Sequence, residues 1–172
     1  MARTKTYIAG DWDHDQDAVE QLYKWNESKK WSLSFSDAHE LTQARDSSLN
    51  CSIKRSLAVR MNSSKTFVLI VGDDTNNVRA GGCQYCSSYN GWNYSCMRGN
   101  TVDYRSYIDY ECEKAVNDGL NIIVLYKNTY KNKSKCPEAV RNIGYHTTMI
   151  TKIGNNYYWD YQSVKAAFDY YG

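Results

Sequence analysis

YIDYECEKAVNDGLNIIVLY, residues Tyr107–Tyr126, is the stretch that decides the fold. Ile108, Cys112, Ala115 and Val116 recur at i, i+4, i+7 and i+8, which predicts an amphipathic helix. Glu111 falls at the border of that stripe, on the flank of Tyr107 rather than on the solvated face. Glu113 lies on the other flank and is expected to be solvated. Asn117, Asp118 and Gly119 stop the helix, and Asn121–Tyr126 reads as a short apolar strand. Upstream, TFVLIVGDD (Thr66–Asp74) reads as another strand that ends in acids. Strand, acidic turn, helix and strand make a βαβ unit with one carboxylate held beside a buried strand.

Working outward, Thr6–Ala9 predicts a first strand that runs into GDWDHDQD. A helix follows with Ala18, Val19, Leu22 and Trp25 at helical spacing. Asp13 with Gln16 three residues later resembles a capping box and makes Asp13 the expected N-cap. Trp31–Ser36 alternates and predicts a second strand, and Ala38–Ser48 reads as a polar loop. Leu49, Ile53, Leu57 and Met61 form a single-face stripe on the next helix, which Ser63 and Ser64 end. Past the basic loop Lys127–Lys135, a weak helical turn is expected at Pro137–Asn142 and a fifth strand at Tyr145–Ile150. Tyr161, Val164, Phe168 and Tyr171 then predict a terminal helix.

Strands alternating with helices imply an α/β domain, because parallel neighbours need crossover connections. The expectation is one domain over residues 1–172, a flavodoxin-like doubly wound parallel sheet of about five strands in the order 2-1-3-4-5, with helices on both faces. Ligands bind such sheets beyond the carboxyl ends of the strands, at the point where strand order reverses. Those ends carry Gly10–Asp13 and Gly72–Asp74. The exception to the pattern is residues 76–103, NNVRAGGCQYCSSYNGWNYSCMRGNTVD, which are rich in Cys, Tyr and Gly and have no periodicity. An insert of that length predicts a lid or partner loop over the pocket.

With 21 basic and 19 acidic residues the net charge is +2, so charge implies neither nucleic acid nor an anionic membrane. No apolar run approaches the roughly 20 residues that a membrane span needs, and the expected location is the cytoplasm. There, six cysteines read as thiols rather than disulfides. Cys83-x2-Cys86 with Cys96 supplies three thiolates, and His14, His39 or His146 a fourth ligand, but the second CxxC pair of a structural zinc site is missing. Neither metal nor cofactor is expected. Sixteen tyrosines and five tryptophans point to a ligand mouth or a subunit contact.

There is no GxGxxG and no GxxxxGK[ST], so flavin, dinucleotide-fold and P-loop readings lose their support. Asp11, Asp13, Asp15 and Asp17 crowd a helix N-terminus that would otherwise attract phosphate. Acids there cap the helix, accept hydrogen bonds from ribose hydroxyls or hold a cation, and Asp11, ahead of the cap, is the ligand candidate. Glu111 suits cleavage of the N-glycosidic bond of NAD. Nicotinamide leaves from an already cationic state and needs no general acid, so the demand is for negative charge near a developing oxocarbenium ion. The competing reading of Glu111 is an edge carboxylate in a surface ion pair.

The chain resembles the TIR-like family typified by ThsB of the Thoeris antiphage defence system. The resemblance rests on YIAGDWDHD from Tyr7, on Phe35 and Asp37, on SSKTFVLIVGDDT from Ser63, and on Tyr107, Ile108, Glu111 and Ala115 ahead of NIIVLY. It implies that Glu111 is the catalytic glutamate of an NAD-consuming domain. Gly10, Asp11, Trp12, Asp37, Asp74 and Tyr107 are the substrate-binding candidates that go with it. Ala9-Gly10 replaces a serine common in the family, Tyr107 replaces a tryptophan, and the Cys-rich insert is longer than a plain TIR loop. NAD is then substrate rather than cofactor, its product a linear or cyclic ADP-ribose signal, and the domain is expected to self-associate. The alternative is a non-catalytic TIR-like signalling and interaction module. A third reading is a receiver-like switch with Mg²⁺ held by the acidic turns near Asp73 and with Lys152.

Overall fold

Lys5–Ala9 forms β1: Tyr7, Ile8 and Ala9 put apolar side chains on both sides, and four of its five residues are buried. The structure is a computed structural model and describes residues 2–38 and 49–172. In chain order the elements are β1 (Lys5–Ala9), α1 (Gln16–Glu27), α2 (Asn50–Asn62), β2 (Ser64–Val71), β3 (Tyr89–Asn90), β4 (Ser95–Cys96), α3 (Tyr107–Asn117), β5 (Asn121–Tyr126), β6 (Tyr145–Thr148), β7 (Ile150–Ile153), β8 (Asn156–Trp159) and α4 (Tyr161–Tyr170). The central sheet runs β1-β2-β5-β6 with every pairing parallel. Helices cover both faces, which makes this the α/β, flavodoxin-like architecture expected from the sequence.

The two-residue period of the strands sorts the core into two layers. Tyr7, Ala9, Phe67, Leu69, Val71, Ile122 and Val124 pack with Leu57 and Met61 of α2 and Ile108, Cys112 and Ala115 of α3. Ile8, Val68, Ile70, Ile123 and Leu125 point the other way, onto Ala18, Val19, Leu22 and Trp25 of α1 and Val164 and Ala167 of α4. Burying each large aliphatic side chain contributes about 1.5–3 kcal/mol, so both faces must stay covered.

Several local expectations change. Trp31–Ser36 is not a strand; one parallel bridge, Thr6 to Asp37, represents it at the β1 edge. There the Thr6 amide donates to the Ser36 carbonyl at 2.7 Å and the Ala38 amide to the Thr6 carbonyl at 2.9 Å. Ser34 in this stretch has φ of 56°, a left-handed turn that breaks the ladder. Of the polar loop expected over 38–48, all but Ala38 lies outside the described residues, as does His39. The fifth strand divides. β6 ends at Thr148, buried Met149 receives the turn, and β7 leaves the sheet to pair antiparallel with β8. The α1 N-cap is Asp15 rather than Asp13, with no side-chain capping bond; the Asp15 amide donates to the Asp11 carbonyl at 2.7 Å, which starts the helix later.

Residues 76–103 are not structureless. They form short 3-10 turns at Thr75–Asn77 and Cys83–Tyr85 and the small β3–β4 hairpin. Gly81, at φ +103°, lets the chain lie against the ring of Tyr107, where a Cβ would stand 2.6 Å from the ring. Lys54 of α2 reaches the Asp103 carboxylate at 3.3 Å, and Arg105 bridges Asp103 at 2.8 Å and Glu113 at 2.6 Å. Glu113 is therefore paired and half-buried rather than simply solvated. Among the described residues no helix is long and apolar enough to cross a membrane.

Candidate active site

Helix α3 is phased at its start. Ser106 is its N-cap and accepts the Asp109 amide at 3.1 Å, which satisfies one of the free N–H groups of the first turn. From that start the buried positions are Ile108, Glu111, Cys112 and Ala115, at i, i+3, i+4 and i+7. Glu111 therefore belongs to the buried stripe and not to its border, and the surface ion-pair reading does not hold. Its residue is 7% exposed. The sheet offers it a partner because odd-numbered residues of β1 face α3. The Tyr7 hydroxyl, on a fully buried ring, donates to Glu111 Oε1. Arg60 of α2, buried at 6% exposure, supplies positive charge nearby.

These three groups stand in a cavity of about 320 Å³. Gly10, Asp11 and Trp12 from the turn after β1 form one wall, with Ile53 and Leu57 of α2, Val78 and Ala80 of the insert, and Tyr107 and Ile108 of α3 around the rest. The volume is at the lower end of the range for small-molecule sites. Burial pushes the Glu111 carboxyl up to about 7, although the Tyr7 hydrogen bond and the Arg60 charge pull the other way. Burial, with the Glu111 charge beside it, raises the Tyr7 phenol far above its ordinary value. Tyr7 therefore stays a hydrogen-bond donor at physiological pH. A carboxylate so placed can exchange its proton near neutrality and can hold a negative charge against a cationic ligand.

Of the residues singled out in the sequence, Glu111, Gly10, Asp11, Trp12 and Tyr107 come together around this cavity. Asp11 is already engaged: its Oδ1 accepts the Asp13 amide at 3.1 Å and its Oδ2 meets His14 Nδ1 at 2.6 Å. That hydrogen bond, with the Asp11 charge, raises the exposed His14 imidazole above its usual value. Trp12 stands at the rim, 46% exposed. Asp74 lies next door, in a separate depression of about 330 Å³ shared with Asp11, Asp13 and His14. Asp37 lies at the β1 edge and accepts the Tyr23 hydroxyl at 2.7 Å, outside this cavity. Asp15 turns inward: Lys127 Nζ lies 3.4 Å from its Oδ1, and burial raises its pKa.

Arg60 and Tyr7 were not among the residues singled out for the site. Arg60 had a signal, since Ile53, Leu57 and Arg60 share one helical face at i, i+4 and i+7. Tyr7 had none, because an aromatic in a central strand reads as core. Among the described residues no group of three or more His, Cys, Asp or Glu side chains is arranged to hold a metal ion.

Residues 7–80 match the family model described as Thoeris protein ThsB, TIR-like domain. Over that segment the chain resembles this TIR-like family. That match supports a role in antiphage defence signalling. The matched segment carries Tyr7, the Gly10–Trp12 turn, Arg60, Asp74 and the Val78–Ala80 wall, and it ends before Tyr107 and Glu111. No curated protein matches the chain.

Proposed function

We propose that this TIR-like protein is an NAD-processing enzyme of the cytoplasm, with Glu111 as its catalytic carboxylate. The observation that carries the reading is Glu111 at the wall of a cavity, buried between Tyr7 and Arg60 rather than solvated. In the reaction, the bond between the nicotinamide nitrogen and ribose C1′ breaks and its electron pair stays with nicotinamide, which leaves neutral. Positive charge develops on the ribose, and the ionised Glu111 carboxylate stabilises it. Water then adds at C1′ and loses a proton to give ADP-ribose, or an internal nucleophile of the ADP-ribose adds to give a cyclic product. Tyr7 holds the carboxylate in one orientation, and the apolar wall of Ile53, Leu57 and Val78 strengthens its field by excluding water. Tyr107 and Trp12 offer aromatic faces to the nicotinamide or adenine ring.

The test is incubation of the purified protein with NAD, with chromatography for nicotinamide and its nucleotide co-product, at high protein concentration and with infected-cell extract as a possible trigger. Nicotinamide release that Glu111→Gln abolishes supports the reading. Activity that survives Glu111→Gln sinks it. A second reading, a self-associating interaction module, is favoured by the aromatic surface of the insert, where Trp92 is 97% and Tyr94 70% exposed. An inactive wild type that binds another TIR-like chain supports that one.

A further inference from the structure

Four of the six cysteines converge on one place. Cys51, at the start of α2, and Cys83, Cys86 and Cys96 of the insert line a single cavity of about 10 Å³, space for roughly one water-sized atom. They are separated by up to 45 residues in sequence (Cys51 to Cys96), and all are thiols. Two of them are singled out by their neighbours. The backbone N–H groups of Arg98 and Asn100 beside Cys96 favour its thiolate and hold its pKa below the ordinary thiol value, and the Asn100 side chain adds to this. The same Asn100 side-chain amide donates to Cys51 Sγ at 3.5 Å, so this one side chain stands in the cavity beside both cysteines. Cys83 differs: it is buried, and its sulfur accepts the Asp103 amide at 3.2 Å.

We infer that this cavity is a thiol-oxidation site at which Cys96 reacts with a peroxide and Cys51 resolves the product to a disulfide. A thiolate that is accessible, stabilised by hydrogen bonds and beside a second thiol is the arrangement that favours this chemistry. The Cys96 thiolate attacks one oxygen of the peroxide, the O–O bond breaks, and the other oxygen leaves as water or an alcohol. Cys96 is then a sulfenic acid. Cys51 gives up its proton and attacks the Cys96 sulfur, the S–O bond breaks and a second water leaves. Two thiols are oxidised by two electrons, and the peroxide is reduced by two. The bond ties β4 to the first turn of α2. Tyr107 stands between this cluster and Glu111: its ring lines the Glu111 cavity, and its hydroxyl, which donates to Asn50 at 3.1 Å, is raised to about 12 by burial and by the nearby Cys86, Cys51 and Cys83.

The test treats the full chain with hydrogen peroxide and reads it by thiol titration and by mass spectrometry of peptides, neither of which depends on the NAD reading. The expected result is loss of two of the six thiols, a mass lower by two hydrogens, a linked Cys51–Cys96 peptide, and reversal by a dithiol. In Cys51→Ser a dimedone adduct on Cys96 should accumulate, and Cys96→Ser should slow thiol loss by about tenfold or more. Linkage of a different pair, unchanged thiols, or one equivalent of tightly held zinc that protects the thiols until a chelator removes it would each overturn the proposal.

Discussion

Replacing Glu111 by glutamine separates a buried charge from its shape, and both consequences can be worked from the site. The folded-state carboxyl titrates at about 7 against an ordinary 4.5, a difference worth about 3 kcal/mol. Because the folded pKa is raised, the native state binds more protons than the unfolded chain between those values. Wild-type stability therefore falls as pH rises through that window and levels off above about 7. Glutamine keeps the acceptor for the Tyr7 hydroxyl but has no proton to lose, so it escapes this cost. Urea unfolding at pH 4.5, 6 and 8 should show the variant gaining about 3 kcal/mol on the wild type between the two ends. Turnover behaves oppositely: if the carboxylate stabilises the developing ribosyl cation, the variant loses about 10²-fold or more in kcat. A stability gap between the two proteins that is the same at every pH would refute the buried-charge argument, whatever the activity shows.

Further outcomes follow from the same geometry. Tyr7→Phe removes a donor that favours the ionised carboxylate, so the rising limb of activity, expected near pH 7 from Glu111, should move to higher pH; a pH–rate profile checks it. Lys127→Met leaves the Asp15 carboxylate, whose side chain is 4% exposed, without its counter-charge, and should cost about 2–3 kcal/mol at neutral pH. Since the Asp15 pKa is already raised by burial, that loss should shrink as acid protonates it, which denaturant melts at two pH values will show. Gly72→Ala places a Cβ 2.2 Å from Asp15 Oδ1 and should lower the thermal midpoint by several degrees, as a scanning calorimeter would read.

The strands β1, β2 and β5 and the helices between them were legible because each repeats its apolar residues at a local period, and that period is a property of neighbours in the chain. Trp31–Ser36 shows the limit of that reading: it alternates like a strand, yet a left-handed turn at Ser34 leaves one bridge of it. Tyr145–Ile150 shows another, since Met149 turns inward and sends the rest of the run into a separate hairpin. Asp13 and Gln16 have the spacing of a cap, but the Asp11 carbonyl already holds the Asp15 amide, and the helix starts there.

By itself, then, the sequence determined that residues 107–126 are a helix and a buried strand, that the fold is α/β, and that Glu111 lies at the border of the apolar stripe on the flank of Tyr107; the structure moved it into the buried stripe. Only the tertiary structure decided what Glu111 meets there. Its hydrogen-bond partner, Tyr7, lies 104 residues away, and the pairing requires β1 to lie next to β2 and α3 to pack across both. The same holds for the four thiols, which α2 and the insert bring to one cavity. Periodicity states which face of an element is buried; which faces then oppose each other depends on strand order and on how the crossovers close, and these are settled by burial summed over the whole sheet.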